Sequence, residues 1–401
     1  EIPDDAKDAF LIPMFYPLPE PYDWTKEQFP CYPTTVELLP SQAPVLQANM
    51  DKAAAAGVES YWGHFAEKLI QEGERITGLY ARNAATGKYV KATASKGVVL
   101  ATGDYANNRD ILSYYCPDVV AKEIPLIWMN MDVEGNPTNT GDGLKLGAYV
   151  NAAIQDHHAP MIHHMGAGSD STGESVMGIS GYLLLDKDGK RFMNEDVPGQ
   201  QYENQIELIR DRTAYQIWDA KWPEQLQYFP AAHGVAFAYD ESKPKNNEEY
   251  KNYKSQAKLE KAIAEGRCIQ ADTIEELLEK IGDIDKDGAL GAIARYNELA
   301  HASKDADFGK VASRLFPVEN APFYSATMEI APMLVCIGGL ESDENCRVFD
   351  KSGVAISGLY AAGNIQGNRF AVQYPIALKG VSHSMAMYYG YVAGKNVVEG
   401  V

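Results

Sequence analysis

Apolar residues recur along this chain in short runs whose period changes from one stretch to the next. From Ser41 the pattern is helical. Ser41 can cap, Pro44 suits a first turn, and good helix formers run from Val45 to Ala56 up to a stop at Gly57. Four short runs follow, Ala66 to Ile70, Ile76 to Arg82, Tyr89 to Ala94 and Gly97 to Leu100, broken at Glu72-Gly73 and Thr86-Gly87. They predict a strand meander that ends in a buried strand. This last strand is continuously apolar through Ala101 and turns on Thr102-Gly103, as a central parallel strand does where its C-terminal end meets a ligand. An ordinary core strand would read the same way. Further on, Tyr182 to Leu185 and Lys190 to Met193 flank Asp188-Gly189 and predict a hairpin. Thr273 to Ile281 and Ala289 to Ala300 carry helical spacing, and a small-residue helix is predicted from Val381 to Val398. Residues 1–40, rich in Pro and aromatics, should be extended.

A chain of 401 residues with this mixture of textures is expected to form two domains of an α/β and α+β protein. The net charge of −19 argues against nucleic acid or an anionic lipid surface as partner. No run of about 18 apolar residues occurs, so no membrane span is expected. Cys31, Cys116, Cys268, Cys336 and Cys346 are scattered without a CxxC pair and read as buried small side chains. Asp283 to Gly288 imitates the first half of a calcium loop, but the twelfth position is Ala294 where a bidentate Glu is needed. A turn between helices explains the same residues. His157, His158, His163 and His164 offer no helix-face pair and no neighbouring Cys, so they are expected to line a pocket or the surface, and no metal site is expected.

The densest local signal is C-terminal. Gly358 to Asn364 reads as a strand ending in Ala-Ala-Gly; Gly367-Asn368-Arg369, Tyr374-Pro375 and Gly380-Val381-Ser382 follow, the last opening a helix. Bare backbone N–H groups and a positive dipole end would face one spot there, suited to an electron-rich ring. A helix packed by small residues is the alternative reading. Taken in order, Val98 to Gly103, Thr140 to Gly143, Gly189 to Glu195, Ile337 to Leu340 and Gly358 to Gly363 resemble the fumarate reductase and succinate dehydrogenase flavoprotein family, broadly drawn to include 3-ketosteroid dehydrogenases and enoate reductases.

The resemblance implies a glutathione-reductase-like FAD-binding domain with an inserted capping domain. The expected division is 1–104 for the first FAD part, 105–330 for the cap and 331–401 for the last FAD part. The FAD domain is expected to be incomplete, because the family's Gly-x-Gly-x-x-Gly turn has no counterpart here. FAD contacts are expected at Ala101, Thr102, Gly103, Gly338, Gly339, Gly363, Asn364, Gly380, Val381 and Ser382. The implied chemistry is hydride transfer between flavin and a carbonyl-activated C–C bond of a small unsaturated substrate, fed by an electron-donor protein or domain.

Fumarate itself is not expected. The Arg that follows Asn-Glu in fumarate reductases is absent from Asp196 to Gln200, and Leu334 stands near the position of a substrate-clamping His, whereas Asn368-Arg369 is kept. Tyr374-Pro375 resembles the Tyr-Pro of ketosteroid dehydrogenases, although Gly380 lies two residues farther on than the matching Gly there. Tyr374 and the Gly380 N–H are therefore the expected carbonyl donors, with Arg369, Tyr182 and Arg191 as further pocket members. A ketosteroid-type dehydrogenase and a non-catalytic assembly subunit are the competing readings. The compartment, cytoplasm or bacterial cell envelope, is left open.

Overall fold

The four apolar runs after residue 60 form strands, and the last of them leaves the meander to join a partner far along the chain. Strands His64–Glu72, Arg75–Asn83 and Tyr89–Thr93 pair antiparallel. Val98–Leu100 instead runs parallel to Ala355–Ala361, with Leu359, Tyr360 and Ala361 opposite Val98, Val99 and Leu100. Arg347–Phe349 pairs antiparallel with the same C-terminal strand. Helix Val381–Glu399 packs on this sheet, burying Ala393 and Asn396, whose amide donates to Asn345 O at 3.1 Å. Helix Ala43–Ala55 ends before Gly57, as its composition predicts.

The computed structural model describes residues 11–13, 34–36, 43–124, 131–132, 134–162, 166–170, 174–197, 205–229, 237–238, 253–329, 333–370, 374 and 381–400. The chain divides into two units. One comprises Pro44–His163, Pro332–Pro375 and Gly380–Val401 and holds the sheet just described. The change of texture at residue 105 falls inside this unit: helices Arg109–Tyr115 and Asp142–Tyr149 belong to it, as does strand Ala159–Ile162, paired with Met333–Ile337.

The other unit comprises Glu1–Ala43, His164–Ala331 and Ile376–Lys379. Its antiparallel sheet runs in the order Ile269–Ala271, Phe323–Glu329, Thr213–Trp218, Leu183–Asp186. Successive side chains of a strand point to opposite faces. Leu184 thus enters a core with Trp218 and Tyr182, while Leu183 and Leu185 meet Ile217 and helices Ile274–Ile281 and Lys286–His301. A strand covered on both faces reads as an unbroken apolar run.

The expected hairpin forms only its turn. Gly189 sits at φ 69° and its N–H reaches Asp186 O at 3.0 Å, but residues 190–193 make no strand. Thr213–Trp218 takes the partner position beside Leu183–Asp186. The returning segment is diverted because it carries Arg191 and Glu195 into a buried ionic cluster. The calcium-like run resolves as a helix entry: Asp285 caps Lys286–His301 by accepting the Gly288 N–H at 3.2 Å, and Asp283 pairs with Lys187 at 2.7 Å. Among the described residues no group of His, Cys, Asp and Glu is placed to hold a metal, and no helix is long and apolar enough to cross a membrane.

Candidate active site

The C-terminal ends of the two parallel strands open side by side, joined by the Ala362 N–H donating to Leu100 O at 2.9 Å. Ala101, Thr102 and Gly103 leave one strand, and Ala362, Gly363 and Asn364 leave the other. Crevices at such strand ends are where open α/β sheets bind ligands. The Gly338-Gly339 segment passes against Ile365 in the loop that follows the second strand. A Cβ on Gly339 would lie 2.1 Å from Ile365 O, so only glycine admits this approach. Gly363, at φ 77°, has nothing within 4 Å of where its Cβ would stand. Bare backbone therefore borders open space here. Helix Val381–Glu399 begins beside the Gly363–Ile365 turn, so its positive end serves the same region.

Polar side chains collect around the strand ends. Asp104 is 1% exposed and accepts the Ala106 N–H at 2.7 Å and the Asn364 amide at 3.3 Å. Burial raises its pKa, with those two bonds opposing. Asn364 Oδ1 in turn accepts from Arg369 Nη2 at 3.2 Å, and Arg369 Nε donates to Gln366 O at 3.1 Å. Arg369 Nη1 is buried without a hydrogen-bond partner. Desolvation lowers the Arg369 pKa, opposed by Tyr374, Asp104 and Tyr389, yet a guanidinium stays charged. Gln155 holds the backbone of the same loop, its Oε1 accepting the Asn368 N–H at 2.7 Å and its amide donating to Phe370 O at 3.3 Å.

The Phe370 ring lies 5.4 Å from Arg369 Cζ and meets the Tyr374 ring edge to face at 5.2 Å, so both candidate donors border one aromatic side chain. The Ser382 N–H donates to Tyr374 Oη at 3.2 Å, so the phenol caps the first turn of the C-terminal helix while its own proton stays available. Burial raises the Tyr374 pKa, opposed by Ser382 and Arg369, and the group remains a neutral donor. Gly380, Gln373, Pro375, His163 and His164 lie outside the described residues. His158 is buried and committed: the Tyr105 O–H donates to its Nδ1 at 2.5 Å, and Nε2 donates to Gln155 O at 2.7 Å.

Tyr182 and Arg191 sit in the other unit. The Tyr182 hydroxyl is buried and donates to Trp222 O at 3.3 Å. Arg191 grips Glu195 through two bonds of 2.8 and 2.9 Å and Asp305 through one of 2.8 Å, and Lys310 lies 3.3 Å from Glu195. Two cations and two anions thus balance in a buried tetrad. Arg191 also borders a cavity of about 300 Å³ with Arg295, Tyr296, Asp307 and Phe308, but both guanidiniums there already hold carboxylates.

A family model described as an FAD binding domain matches residues 30–377. The chain belongs to this family. Among curated relatives, it is 30% identical over 339 residues to the NADH:acrylate oxidoreductase of Vibrio harveyi, covering 82% of this chain and 29% of that protein. It is 26% identical to the vinyl phenol reductase of Lactiplantibacillus plantarum, covering 89% of this chain and 71% of the relative. It is also 26% identical to the 3-oxosteroid 1-dehydrogenase of Mycolicibacterium smegmatis, covering 82% and 57%. The chain thus spans under a third of the first of these relatives and somewhat over half of the last. Among solved structures, a flavocytochrome c3 fumarate reductase in an open conformation matches with a TM-score of 0.59 at 22% identity, covering 92% of this chain and 57% of that one. These matches agree with the FAD-binding fold expected from the five ordered motifs.

FAD is the cofactor of this family, and the open backbone at Gly363 together with the helix start at Val381-Ser382 fits a flat, electron-rich ring. Sequence reading missed two members of the site, Asp104 and Gln155, and expected Asn364 at the cofactor without its link to Arg369. Asp104 meets Asn364 across 260 positions and Gln155 meets Asn368 across 213, so no local pattern encodes those contacts.

Proposed function

We propose that this protein is an FAD-dependent oxidoreductase that reduces carbonyl-activated C–C double bonds, with unsaturated carboxylates as the preferred class. The observation that carries the reading is Arg369: a half-buried guanidinium whose Nη1 is buried and unpartnered, beside the loop that leaves the second of the two parallel strands. Such a group favours an anionic oxygen. The relative named an acrylate oxidoreductase supports the same class. Residues Ala101 to Gly103, Gly338-Gly339, Gly363-Asn364 and Gly380 to Ser382 would border the flavin, within an FAD-binding part interrupted by a cap.

Bound FAD supplies the hydride. Arg369 would hold one oxygen of the activating group. Tyr374 would donate its O–H to an oxygen that gains enolate charge as the reaction proceeds, and the Ser382 N–H bonded to its Oη makes that phenol a stronger donor. The reducing equivalents would come from a donor protein or domain.

The direct test uses the complete gene product, reduced anaerobically with dithionite and mixed with enoates, aryl acrylates and enones while flavin absorbance is followed. Reoxidation by an unsaturated carboxylate is expected, and indifference to every alkene in the panel would remove the proposal. A second expected outcome concerns Tyr374→Phe. Reoxidation should slow roughly 10²-fold, the size of one lost oxyanion donor, with flavin content kept. If the hydroxyl serves only to cap the helix, the variant will melt earlier but react at wild-type speed.

A further inference from the structure

Asp104 is a buried acid just past the end of a parallel strand, and besides tying down the Ala106 and Cys336 backbone it reaches the side chain of Asn364. Its environment gives it a direction. One oxygen accepts the Ala106 N–H and the other accepts the Asn364 amide nitrogen. Asn364 could otherwise point either end of its amide toward Arg369, because the two ends differ little in shape but invert in polarity. A carboxylate that accepts from Asn364 turns the NH₂ toward Asp104 and leaves Oδ1 for Arg369 Nη2. With Nη2 held there and Nε on Gln366 O, the guanidinium plane is fixed and Nη1 is the donor left over.

We propose that Asp104 is a positioning residue that, through Asn364, orients Arg369 so that its free Nη1 meets a substrate carboxylate. This inference rests on the reading of Arg369 as the carboxylate-binding group and goes beyond it by naming what aims that group.

The isostere Asp104→Asn tests polarity without changing volume. The amide introduced at position 104 must still offer an oxygen to the Ala106 N–H, so its NH₂ faces Asn364. Asn364 must then flip and present its own NH₂ to Arg369, donor against donor. The double variant Asp104→Asn/Asn364→Asp reverses this, because a carboxylate at position 364 can accept from the amide at position 104 and from Arg369 together.

The readout is calorimetric binding of a saturated carboxylate, 3-phenylpropanoate, and of its neutral amide to the complete oxidised flavoprotein, with KM and kcat for an enoate and its methyl ester alongside. Asp104→Asn should weaken the carboxylate and raise the enoate KM roughly 10- to 100-fold, the size of one charge-assisted hydrogen bond. The amide, the ester, kcat and flavin content should change little. The double variant should return the carboxylate to within about threefold of wild type by the same scale.

Wild-type protein that binds amide and carboxylate equally would overturn the Arg369 reading and this inference together. A wild-type preference for carboxylate that Asp104→Asn leaves untouched, or that falls equally for amide and carboxylate, would overturn the inference alone. Should Asp104→Asn fail to fold, the double variant decides by itself: carboxylate binding near wild type supports the relay, and its loss overturns it.

Discussion

Lys310→Met is expected to destabilise its unit by about 3–5 kcal/mol, the cost of stripping one partner from a buried ion pair. The Lys310 and Glu195 side chains are both fully buried, and Lys310 also donates to the Tyr296 hydroxyl at 2.8 Å and to Gly181 O. Removing the amine leaves Glu195 and Asp305 with Arg191 as their one ion-pair partner among the described residues, a net negative charge sealed away from water. Methionine keeps most of the volume, so packing loss is a minor part of the effect. For a unit of this size the melting temperature should fall roughly 6–20 °C. The double variant Lys310→Met/Glu195→Gln removes one charge of each sign and should lose less than the sum of the two single changes. Calorimetry decides: additive losses, or a single variant that melts with wild type, would show that the tetrad does not act as a balanced unit.

That tetrad also marks how far the sequence was legible. Elements defined by local chemistry came through: the helix with Pro44 in its first turn and a stop at Gly57, the meander broken at Glu72-Gly73, the helices Ile274–Ile281 and Lys286–His301, and the buried strand before Thr102-Gly103. The second arm of the hairpin did not. The Asp188-Gly189 turn suggested it, but Arg191 and Glu195 are four residues apart and share one ion pair, and Asp305 and Lys310 come from more than a hundred residues away to complete the set. Four residues of strand would hold that pair about 13 Å apart, too far to meet. Arg191 and Tyr182, expected at a substrate pocket, are held instead by Glu195, Asp305 and Trp222 O. Gly339 was readable because it answers a local steric demand, whereas the contact of Asp104 with Asn364 depends on which loops the sheet brings together.

Arg369→Met should lower kcat/KM for an unsaturated carboxylate by roughly 10²- to 10³-fold, since the half-buried cation's charge-assisted bonds to the anion are lost. A neutral enone of the same size should lose far less, because it brings no charge for the guanidinium to neutralise. Arg369→Lys should recover only part of the loss: an ammonium lacks the planar fork that lets Arg hold Gln366 O and Asn364 Oδ1 at 3.1 and 3.2 Å while keeping Nη1 free. The rival account is that Arg369 merely staples its loop, whose backbone Gln155 already ties down at Asn368 and Phe370. A staple lost would cost stability and impair enoate and enone alike. Steady-state kinetics with a matched enoate and enone pair, run beside thermal melting of each variant, separates the two. Equal losses for both substrates would take the carboxylate away from Arg369, whereas a loss confined to the enoate, with melting unchanged, is what a buried and unpaired donor at the mouth of this crevice requires.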